Sequence, residues 1–507
     1  GLGQVGEALE AFKKVTELNP TYADGHNNLG VTLQGQGRLE EAITAYNKAL
    51  SLKPDYAEAH NNMGNVLREQ GKLEEAIGAY SRALSIKPDQ AEIYNNMGTV
   101  LKKKGKPKEA IEAYNKALLL NPYYVEAHNN LGNALQEQGK LEEAIEVYNK
   151  SLALNSNYAG TYTNMGVVLQ DLGKLEEAIE AYNKALSLEP DYAEAHENLS
   201  FALLNIGEWK QGLDEYEWRL KKSGALPGLR QFSCAMWDGQ ESLEDKTILV
   251  WGEQGPQDMI IWSSSLAKLS TISKECILEC PEKLVSLFAR SFPDIQVRVQ
   301  TQYAIHDSID FDFHLPMGSL FRHFTPQHCQ KNTYTSFLKP EANKVKKWKA
   351  RLKLLGNGPY VGISWKSPLI THKRLPNYTQ ISDWKPIFSN PKFTLINLQS
   401  TDFSNDIRKA HNEFGAKIHN FDDLDHYNDL DEVAALGAAI DVCVSVSTAV
   451  AAIVAGVGTP IKMLHWRQSS WNNNLLTTKG PSVDVFERNT WETWEGAFEA
   501  IAKNLNL

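Results

Sequence analysis

The 507-residue sequence contains no run of about eighteen apolar residues, the length that a membrane-spanning helix needs. We therefore expect no membrane span. Its five cysteines are scattered and none forms a C-x-x-C pair, so they match neither a disulfide framework nor a zinc site. This pattern favours a reducing compartment, and we expect a cytoplasmic protein without a bound metal.

Several catalytic signatures are also absent. The sequence has no G-x-x-x-x-G-K-[ST] phosphate loop, no H-E-x-x-H zinc motif and no G-x-S-x-G nucleophile turn. An excess of basic charge is missing as well, because the net charge is −10. Residues 1–226 hold 23 basic and 32 acidic side chains, so this part carries most of the negative charge. Such a charge argues against a nucleic acid partner.

The first half of the chain contains a repeat with a period of 34 residues. In one unit a glycine, an alanine, an aromatic residue and a proline stand at Gly30, Ala42, Tyr46 and Pro54, and the pattern recurs along residues 1–226. This is the tetratricopeptide signature, in which each unit forms two antiparallel helices. One unit cannot bury its own apolar face, so the pattern predicts an α-solenoid of stacked units with a concave groove.

The last unit, residues 193–226, departs from the pattern. Ser200 replaces the glycine, Gly212 replaces the alanine, and Trp209 and Trp218 appear. Bulky residues of this kind predict a cap that docks onto another domain.

One position of the first helix is asparagine in every unit. These residues are Asn28, Asn62, Asn96, Asn130, Asn164 and Asn198. On the concave face, their amides offer donors and an acceptor to the backbone of an extended peptide. The alternative is that they only bond to neighbouring helices. The row resembles the asparagine ladder of O-linked N-acetylglucosamine transferases, which implies a protein or peptide partner in the groove.

The pattern changes after residue 226. Residues 227–246 are rich in turn formers and are predicted to be a linker. Apolar strands and helices then alternate, which predicts parallel sheets with helices on both faces. We expect two Rossmann-like lobes at 247–356 and 357–507, with a closing helix at 494–505 that packs on the first lobe. Ligands bind beyond the carboxyl ends of such strands.

Two of these strand ends carry motifs that resemble a known family. ILVWGEQGPQD contains the turn 252–258, and SVSTAVAAIVAGVGTP at 445–460 follows a later strand. With VGISW at 361–365 and the pair Leu398-Gln399, they are similar in order to the heptosyltransferase-like glycosyltransferases, particularly bacterial forms fused behind tetratricopeptide repeats. The resemblance implies a two-lobed GT-B fold. It also implies an inverting, metal-independent transfer of a sugar from a nucleotide-sugar co-substrate to a hydroxyl, without a further cofactor.

The resemblance assigns roles to particular residues. Asp258 maps onto the family's carboxylate base, which removes the acceptor proton. Its structural alternative is a helix start, where free N–H groups favour a carboxylate. The positions assigned to the nucleotide-sugar are Gln254, Ser364, Lys366, Arg374, Gln399, Ser447, Thr448 and Ala449. Thr448 and Ala449 open a helix that can bind the diphosphate, and Lys366 can neutralise the leaving phosphate.

The sequence also departs from the family. Ser447 stands where the family has aspartate, Ala452 where it has histidine, and Gln257 where it has glycine, after the stiff Pro256. These changes imply either an altered donor or no donor. We therefore keep three functions open: sugar transfer to a protein or peptide, sugar transfer to a glycan or lipid, and a non-catalytic repeat scaffold with a degenerate transferase half.

Overall fold

The computed structural model describes residues 2–221, 232–300, 310–324, 336–367, 378–401, 403–466, 483–488 and 493–505. The chain divides into two compact units, Gly1–Tyr192 and Ala193–Leu507. We call them the repeat unit and the α/β unit. The predicted end of the repeats at residue 226 lies inside the second of these units, and the predicted linker lies there too.

The repeat unit is built from paired helices. Its helices are Leu2–Leu18 (α1), Ala23–Gly35 (α2), Leu39–Leu52 (α3), Ala57–Glu69 (α4), Leu73–Ile86 (α5), Ala91–Lys103 (α6), Pro107–Leu120 (α7), Val125–Glu137 (α8), Leu141–Leu154 (α9), Ala159–Asp171 (α10) and Leu175–Leu188 (α11). From α2 onward, each even-numbered helix packs on the odd-numbered helix that follows it. The even-numbered helices α2 to α10 also contact one another in succession. They therefore form one continuous layer, as expected of the first helices of a solenoid.

The glycine of each unit makes room for a tyrosine ring. A Cβ atom at Gly98 would lie 2.6 Å from Cε1 of Tyr114, and this ring is fully buried. The same contact joins Gly30 to Tyr46, Gly64 to Tyr80, Gly132 to Tyr148 and Gly166 to Tyr182. The repeated glycine thus permits close packing of the two helices of a unit around an aromatic side chain.

The α/β unit begins with two further helices, Ala193–Asn205 (α12) and Trp209–Tyr216 (α13), and a 3₁₀ turn at Glu217–Leu220. Leu204, Leu213 and Tyr216 share a hydrophobic core with strand residues such as Ile248, and Trp209 packs against that core. The last repeat-like helix pair is therefore an integral part of the α/β unit.

In the described residues that follow, the α/β unit contains two parallel sheets. The first contains Thr247–Trp251 (β1), Glu275–Cys280 (β2), Gln296–Val299 (β3) and Phe313–Pro316 (β4), in the order β3-β2-β1-β4. The second contains Tyr360–Ser364 (β5), Thr394–Asn397 (β6), Ile418–His419 (β7), Val442–Val446 (β8), Ile461–Trp466 (β9) and Val483–Arg488 (β10), in the order β10-β9-β8-β5-β6-β7. Every ladder is parallel, and Val250 of β1 lies opposite Leu278 and Leu315. The predicted α/β architecture with parallel sheets is confirmed.

The described part of the α/β unit contains ten further helices. They are Pro256–Trp262 (α14), Leu266–Ser270 (α15), Glu282–Ser291 (α16), Leu320–His323 (α17), Ala342–Lys353 (α18), Lys385–Phe388 (α19), Ser404–Phe414 (α20), Leu430–Gly437 (α21), Ala449–Gly456 (α22) and Glu495–Asn504 (α23). Helix α14, which follows β1, packs against α22, which follows β8. Residues of both helices, such as Ile260 and Ile453, belong to one hydrophobic cluster.

The closing helix α23 corrects one prediction. It was expected to pack on the first lobe, but it contacts α19 and β10, and Phe498 and Ile501 share a core with Val361 and Val444 of the second sheet. Its amphipathic pattern indicates a buried face but does not say which sheet that face covers.

Candidate functional site

Two groups of residues are candidates for function, and the first is the asparagine row of the repeat unit. Asn28, Asn62, Asn96, Asn130 and Asn164 are all partly exposed on the layer of first helices. The sixth member, Asn198, is partly exposed on α12 of the α/β unit. Each side chain is therefore accessible while it remains anchored in a packed helix.

Neighbouring units hold these amides in place. The Nδ2 atoms of Asn62, Asn130 and Asn164 donate to Oδ1 of an asparagine one unit earlier, at 3.2, 3.0 and 3.1 Å. The accepting residues are Asn27, Asn95 and Asn129, which are buried. The members of this second row directly precede those of the first, and the repeated Asn-Asn pairs at 27–28, 61–62, 95–96 and 129–130 are the sequence signal for it.

Both interpretations of the row are compatible with this geometry. One N–H of each donor amide is used between the helices. Within the described part of the chain, the Oδ1 atoms of Asn62, Asn130 and Asn164 accept no hydrogen bond from a side chain. The inter-unit bond therefore orients each amide and leaves its carbonyl oxygen available, which is the arrangement that recognition of a peptide backbone requires.

The second group lies at the carboxyl ends of β1 and β8. Gly255 caps α14, Pro256 is its first residue, and Asp258 lies in the first turn, partly exposed. The Nε2 atom of Gln257 donates to Oγ of Ser447 at 2.8 Å. The two turns that were predicted separately are thus joined by a direct hydrogen bond across 190 positions of sequence.

The helix that follows β8 begins at a capped turn. The Oγ1 atom of Thr448 accepts a hydrogen bond from the backbone N–H of Ala451 at 3.2 Å, and Ala449 is the first residue of α22. Thr448 therefore serves as a conventional N-cap. Ala452, at the family's histidine position, is fully buried in the core that α14 and α22 share.

Three predicted site residues form hydrogen bonds with one another: Ser364 and Lys366 at the end of β5, and Gln399 after β6. Oε1 of Gln399 accepts from the backbone N–H of Trp365 and of Lys366, both at 3.0 Å, and lies 3.4 Å from Oγ of Ser364. The Nε2 atom of Gln399 donates to the carbonyl oxygen of Lys366 at 2.7 Å. The Nζ atom of Lys366 pairs with Asp406 at 2.8 Å. This network fixes the strand end, and Arg374 lies outside the described residues.

A buried charge network supports the turn after β1. The guanidinium of Arg219 is 4% exposed and donates to Oε1 of Glu253 at 2.9 Å and to Oγ of Ser319 at 2.9 Å. It also donates to Oε1 of Glu217 at 2.7 Å. The backbone N–H of Gly318 donates to Glu253 at 3.0 Å. Glu253 is therefore fixed directly before the predicted site residues.

The pKa values of this network reflect its burial. Burial raises the pKa of the Glu253 carboxyl, and the Arg219 guanidinium opposes that rise. Burial also tends to lower the pKa of Arg219, but Glu253 and Glu217 hold it above its usual range. Arg219 stays charged. Each buried charge of the network therefore depends on its partners of opposite charge to offset the cost of its removal from water.

Gln254 is tied to the same segment. Its Nε2 atom donates to Oη of Tyr216 at 2.9 Å, and burial raises the pKa of that phenol. Sequence analysis assigned Gln254 to the nucleotide-sugar and did not identify Tyr216, Arg219 or Glu253. A charged pair whose members are 34 positions apart leaves no local pattern.

Neither a metal cluster nor a membrane helix is found in the described part of the chain. There, no group of three or more His, Cys, Asp or Glu side chains has the arrangement of a metal site. The helices of that same part include none that is long and apolar enough to cross a membrane.

Comparison with known proteins identifies the repeats. A model described as TPR repeat matches residues 2–37, 35–67 and 64–105, and models described as tetratricopeptide repeat match residues 89–157, 123–188 and 163–221. The predicted tetratricopeptide repeats are therefore confirmed across about the first 220 residues.

Several known proteins are similar to part of this chain. Protein FlbA of Caulobacter vibrioides (strain ATCC 19089 / CIP 103742 / CB 15) is 30% identical over 298 residues, which are 55% of this chain and 48% of FlbA. This chain thus spans about half the length of that relative. Among solved structures, YrrB, a TPR protein with an unusual peptide-binding site, is 31% identical with a TM-score of 0.32, and covers 37% of this chain and 97% of its own. The MamA protein is 26% identical with a TM-score of 0.31. The match covers 34% of this chain and 94% of MamA.

Proposed function

We propose that the chain is a protein or peptide glycosyltransferase. In this proposal the repeat unit binds an extended acceptor segment, and the α/β unit, with a GT-B arrangement, binds a nucleotide-sugar. Asp258 removes the proton of an acceptor hydroxyl while the hydroxyl oxygen attacks the anomeric carbon and the nucleoside diphosphate leaves. The sugar is transferred with inversion and without a metal ion.

The hydrogen bond between Gln257 and Ser447 is the observation that carries this proposal. It brings the turn with Asp258 next to the turn that precedes α22, and this proximity supports a site in which Asp258 would be the base and the N-terminus of α22 would bind the diphosphate. A helix N-terminus is suited to a diphosphate, and strand ends of parallel sheets are the usual place for such ligands. Asp258 is partly exposed, which a base in contact with an acceptor requires.

The asparagine row supports the choice of a polypeptide as acceptor. Amides that are oriented by Asn27, Asn95 and Asn129 can pair with main-chain groups whatever the side chains of the bound segment. Preorganised amides also reduce the entropy lost on binding. An acceptor held in this way presents its hydroxyl at a high effective concentration.

The test of catalysis compares two aspartates that both lie in the first turn of a helix. Asp258→Asn should lower the rate of sugar transfer to a peptide by about 10²–10⁴-fold. Asp383→Asn, at the start of the 3₁₀ helix Ile381–Trp384, is the matched control and should retain transfer. The affinity for the nucleoside diphosphate should be similar in both variants. Equal transfer rates would remove Asp258 from the mechanism.

The scaffold remains the second candidate because of two specific observations. Ala452 is fully buried where the family has a histidine, and Gln399 and Lys366 are engaged with their own neighbours. A thermal-shift series with nucleoside diphosphates separates the candidates, because a ligand at 100 times its Kd adds about 2.7 kcal/mol to the free energy of unfolding. A flat series with folded protein would favour the scaffold.

A further inference from the structure

One tyrosine of the repeat unit has a lysine on its ring. The Nζ atom of Lys53, directly after α3, lies 4.6 Å from the centroid of the Tyr56 ring, directly before α4. An ammonium group over an aromatic face is attracted by the negative charge of that face. The turn between α3 and α4 is therefore a place where the chain itself holds a cation against a ring.

The turn between α7 and α8 has the same backbone but no lysine. Asn121 stands at the position of Lys53, and Tyr124 stands at the position of Tyr56, two repeat units later. The backbone N–H of Tyr124 donates to the carbonyl oxygen of Asn121 at 3.2 Å, and that of Tyr56 donates to Lys53 at 3.2 Å. The φ and ψ angles are −135° and 91° at Asn121, and −140° and 86° at Lys53. A neutral amide has thus replaced the ammonium group in an otherwise equivalent turn.

The negative charge around the ring is retained where the lysine is replaced. Burial raises the pKa of the Tyr124 phenol, and the carboxylates of Glu92 and Glu126 add to that rise. Burial also raises the pKa of Tyr56, and Glu58 is one of the carboxylates that add to it. Both rings therefore lie in a negative field, but only the turn of Tyr56 supplies a lysine to offset that field.

An open cavity lies at the turn between α7 and α8. Its volume is about 270 Å³, just below the ~300–1,000 Å³ typical of small-molecule pockets, so it is matched to a single side chain. Its lining includes three tyrosines, two asparagines and one carboxylate: Tyr123, Tyr124, Tyr158, Asn121, Asn155 and Glu126. None of its lining residues, all of which the structure describes, is basic. Aromatic rings beside a carboxylate are suited to an organic cation.

We infer that this cavity binds a lysine or arginine side chain of a polypeptide partner. The cation lies over the ring of Tyr124, as Lys53 lies over that of Tyr56, and Glu126 offsets its charge. The inference does not depend on the proposed sugar transfer.

Two observations favour a polypeptide as the source of the cation. Glu126 precedes Asn130 by four residues on α8, so the cavity and the asparagine row share one face of this helix. Residues 1–226 hold 23 basic and 32 acidic side chains, which favours a partner with basic residues. A segment bound along the row can therefore place a basic side chain in the cavity.

The experiment compares two peptides that differ in one side chain. The first is a coumarin-labelled peptide of alternating glycine and serine with one central lysine, and the second has norleucine in place of that lysine. Fluorescence anisotropy should show that the unmodified chain binds the lysine peptide about three- to ten-fold more tightly. Equal binding of the two peptides, or no binding of either, would overturn the inference.

A competitor without a polypeptide identifies the source of the cation. Acetyl-lysine methylamide carries the same side chain, and it should displace the lysine peptide only at a concentration at least about ten-fold higher than the unlabelled peptide needs. Equal competition would mean that the ligand is a free cation and would overturn a polypeptide partner.

One substitution at two equivalent tyrosines locates the site. Tyr124→Leu removes the ring without a change of charge and should abolish the preference for the lysine peptide. Tyr56→Leu is the matched control and should retain the preference, because Lys53 already covers that ring. Circular dichroism verifies that both variants fold. Retention of the preference in Tyr124→Leu would overturn the inference.

A lysine within the turn should exclude the lysine of the peptide. Asn121→Lys installs the residue that the turn between α3 and α4 carries on the same backbone, so it should fold and should abolish the preference. Ser187→Lys, at an exposed position of α11, adds the same charge and should retain it. An equal loss in both variants would assign the preference to net charge alone, and unchanged binding by Asn121→Lys would likewise overturn the inference.

Discussion

Tight packing in the repeat unit joins residues that are close in sequence, whereas in the α/β unit it joins residues far apart. Gly98 meets the ring of Tyr114 within a single unit, and the same pair recurs in its neighbours. In the α/β unit, Arg219 bonds to Ser319 across 100 positions, and Gln257 bonds to Ser447 across 190. The first kind of contact repeats in the sequence, and the second kind leaves no trace there.

The two units also differ in the kind of interaction that stabilises them, which is apolar in the repeat unit and polar in the α/β unit. The repeat unit buries a row of tyrosine rings against glycines, while the α/β unit buries the charges of Arg219, Glu253 and Glu217. Loss of one partner from a buried charge network leaves the others without compensation, so such a network is sensitive to single substitutions. Apolar packing responds mainly to changes in volume.

The largest expected effect is therefore in the α/β unit. Arg219→Ala leaves Glu253 buried without its partner and should lower the free energy of unfolding by about 3–5 kcal/mol. Arg322→Ala is the control, because Arg322 pairs with Asp214 at 2.8 Å on the surface, and its removal should cost less than about 1 kcal/mol. Urea unfolding followed by a probe in the α/β unit checks both.

If Arg219→Ala and Arg322→Ala lowered the free energy of unfolding by similar amounts, the contrast between the buried network and the surface pair would be wrong. It would mean that the buried network contributes no more than a surface pair, and that the position of Glu253 is set by packing alone. Glu253→Gln, which keeps the shape but removes the charge, then indicates how much of the loss is due to electrostatics.

The next largest effect is expected in the repeat unit, where glycine is replaced by alanine at two different positions. Gly98→Ala brings a Cβ atom to 2.6 Å from Cε1 of Tyr114, which is fully buried, and should destabilise by about 1–3 kcal/mol. Gly78→Ala, also in a helix, meets no atom within 4 Å and should stabilise by about 0.5–1 kcal/mol. Denaturant unfolding measures the free energy of unfolding of both variants, which should change in opposite directions. If both changes had the same sign, the glycine would matter for its backbone and not for its contact with the ring.

The same contrast explains which features of the fold were predictable. The repeats and most strands of the α/β unit have clear local patterns, whereas β4 and β10 have none. The β4 sequence, FHLP, is short and ends in proline, which argues against a strand in a sequence-based assignment. The edge strand Val483–Arg488 has three charged residues among its six, which makes it less hydrophobic than its neighbours.

The candidate sites were predictable to different degrees. The turn with Asp258 and the turn with Ser447 were placed at strand ends from the alternation of strands and helices alone. Their hydrogen bond required the packing of α14 on α22. Tyr216 was not identified, because its partner Gln254 lies 38 positions away and the contact depends on the docking of α13.

The smallest expected effect concerns Asp171, a carboxylate at the end of α10. Burial raises its pKa to about 6, although Gln136 donates a hydrogen bond to it at 2.9 Å. Because this value lies above the ordinary value of 3.8, the folded chain binds more protons than the unfolded chain between these two pH values. The free energy of unfolding should therefore fall as the pH rises from about 4 to about 6, and should not recover at neutral pH.

Asp171→Asn should remove this slope and stabilise the repeat unit by about 1 kcal/mol at pH 7, as measured by urea unfolding across that pH range. Asp89→Asn, on an exposed turn, is the control and should retain the slope. A slope that persists in the Asp171 variant would assign it to another group and would leave apolar packing as the main source of stability in the repeat unit.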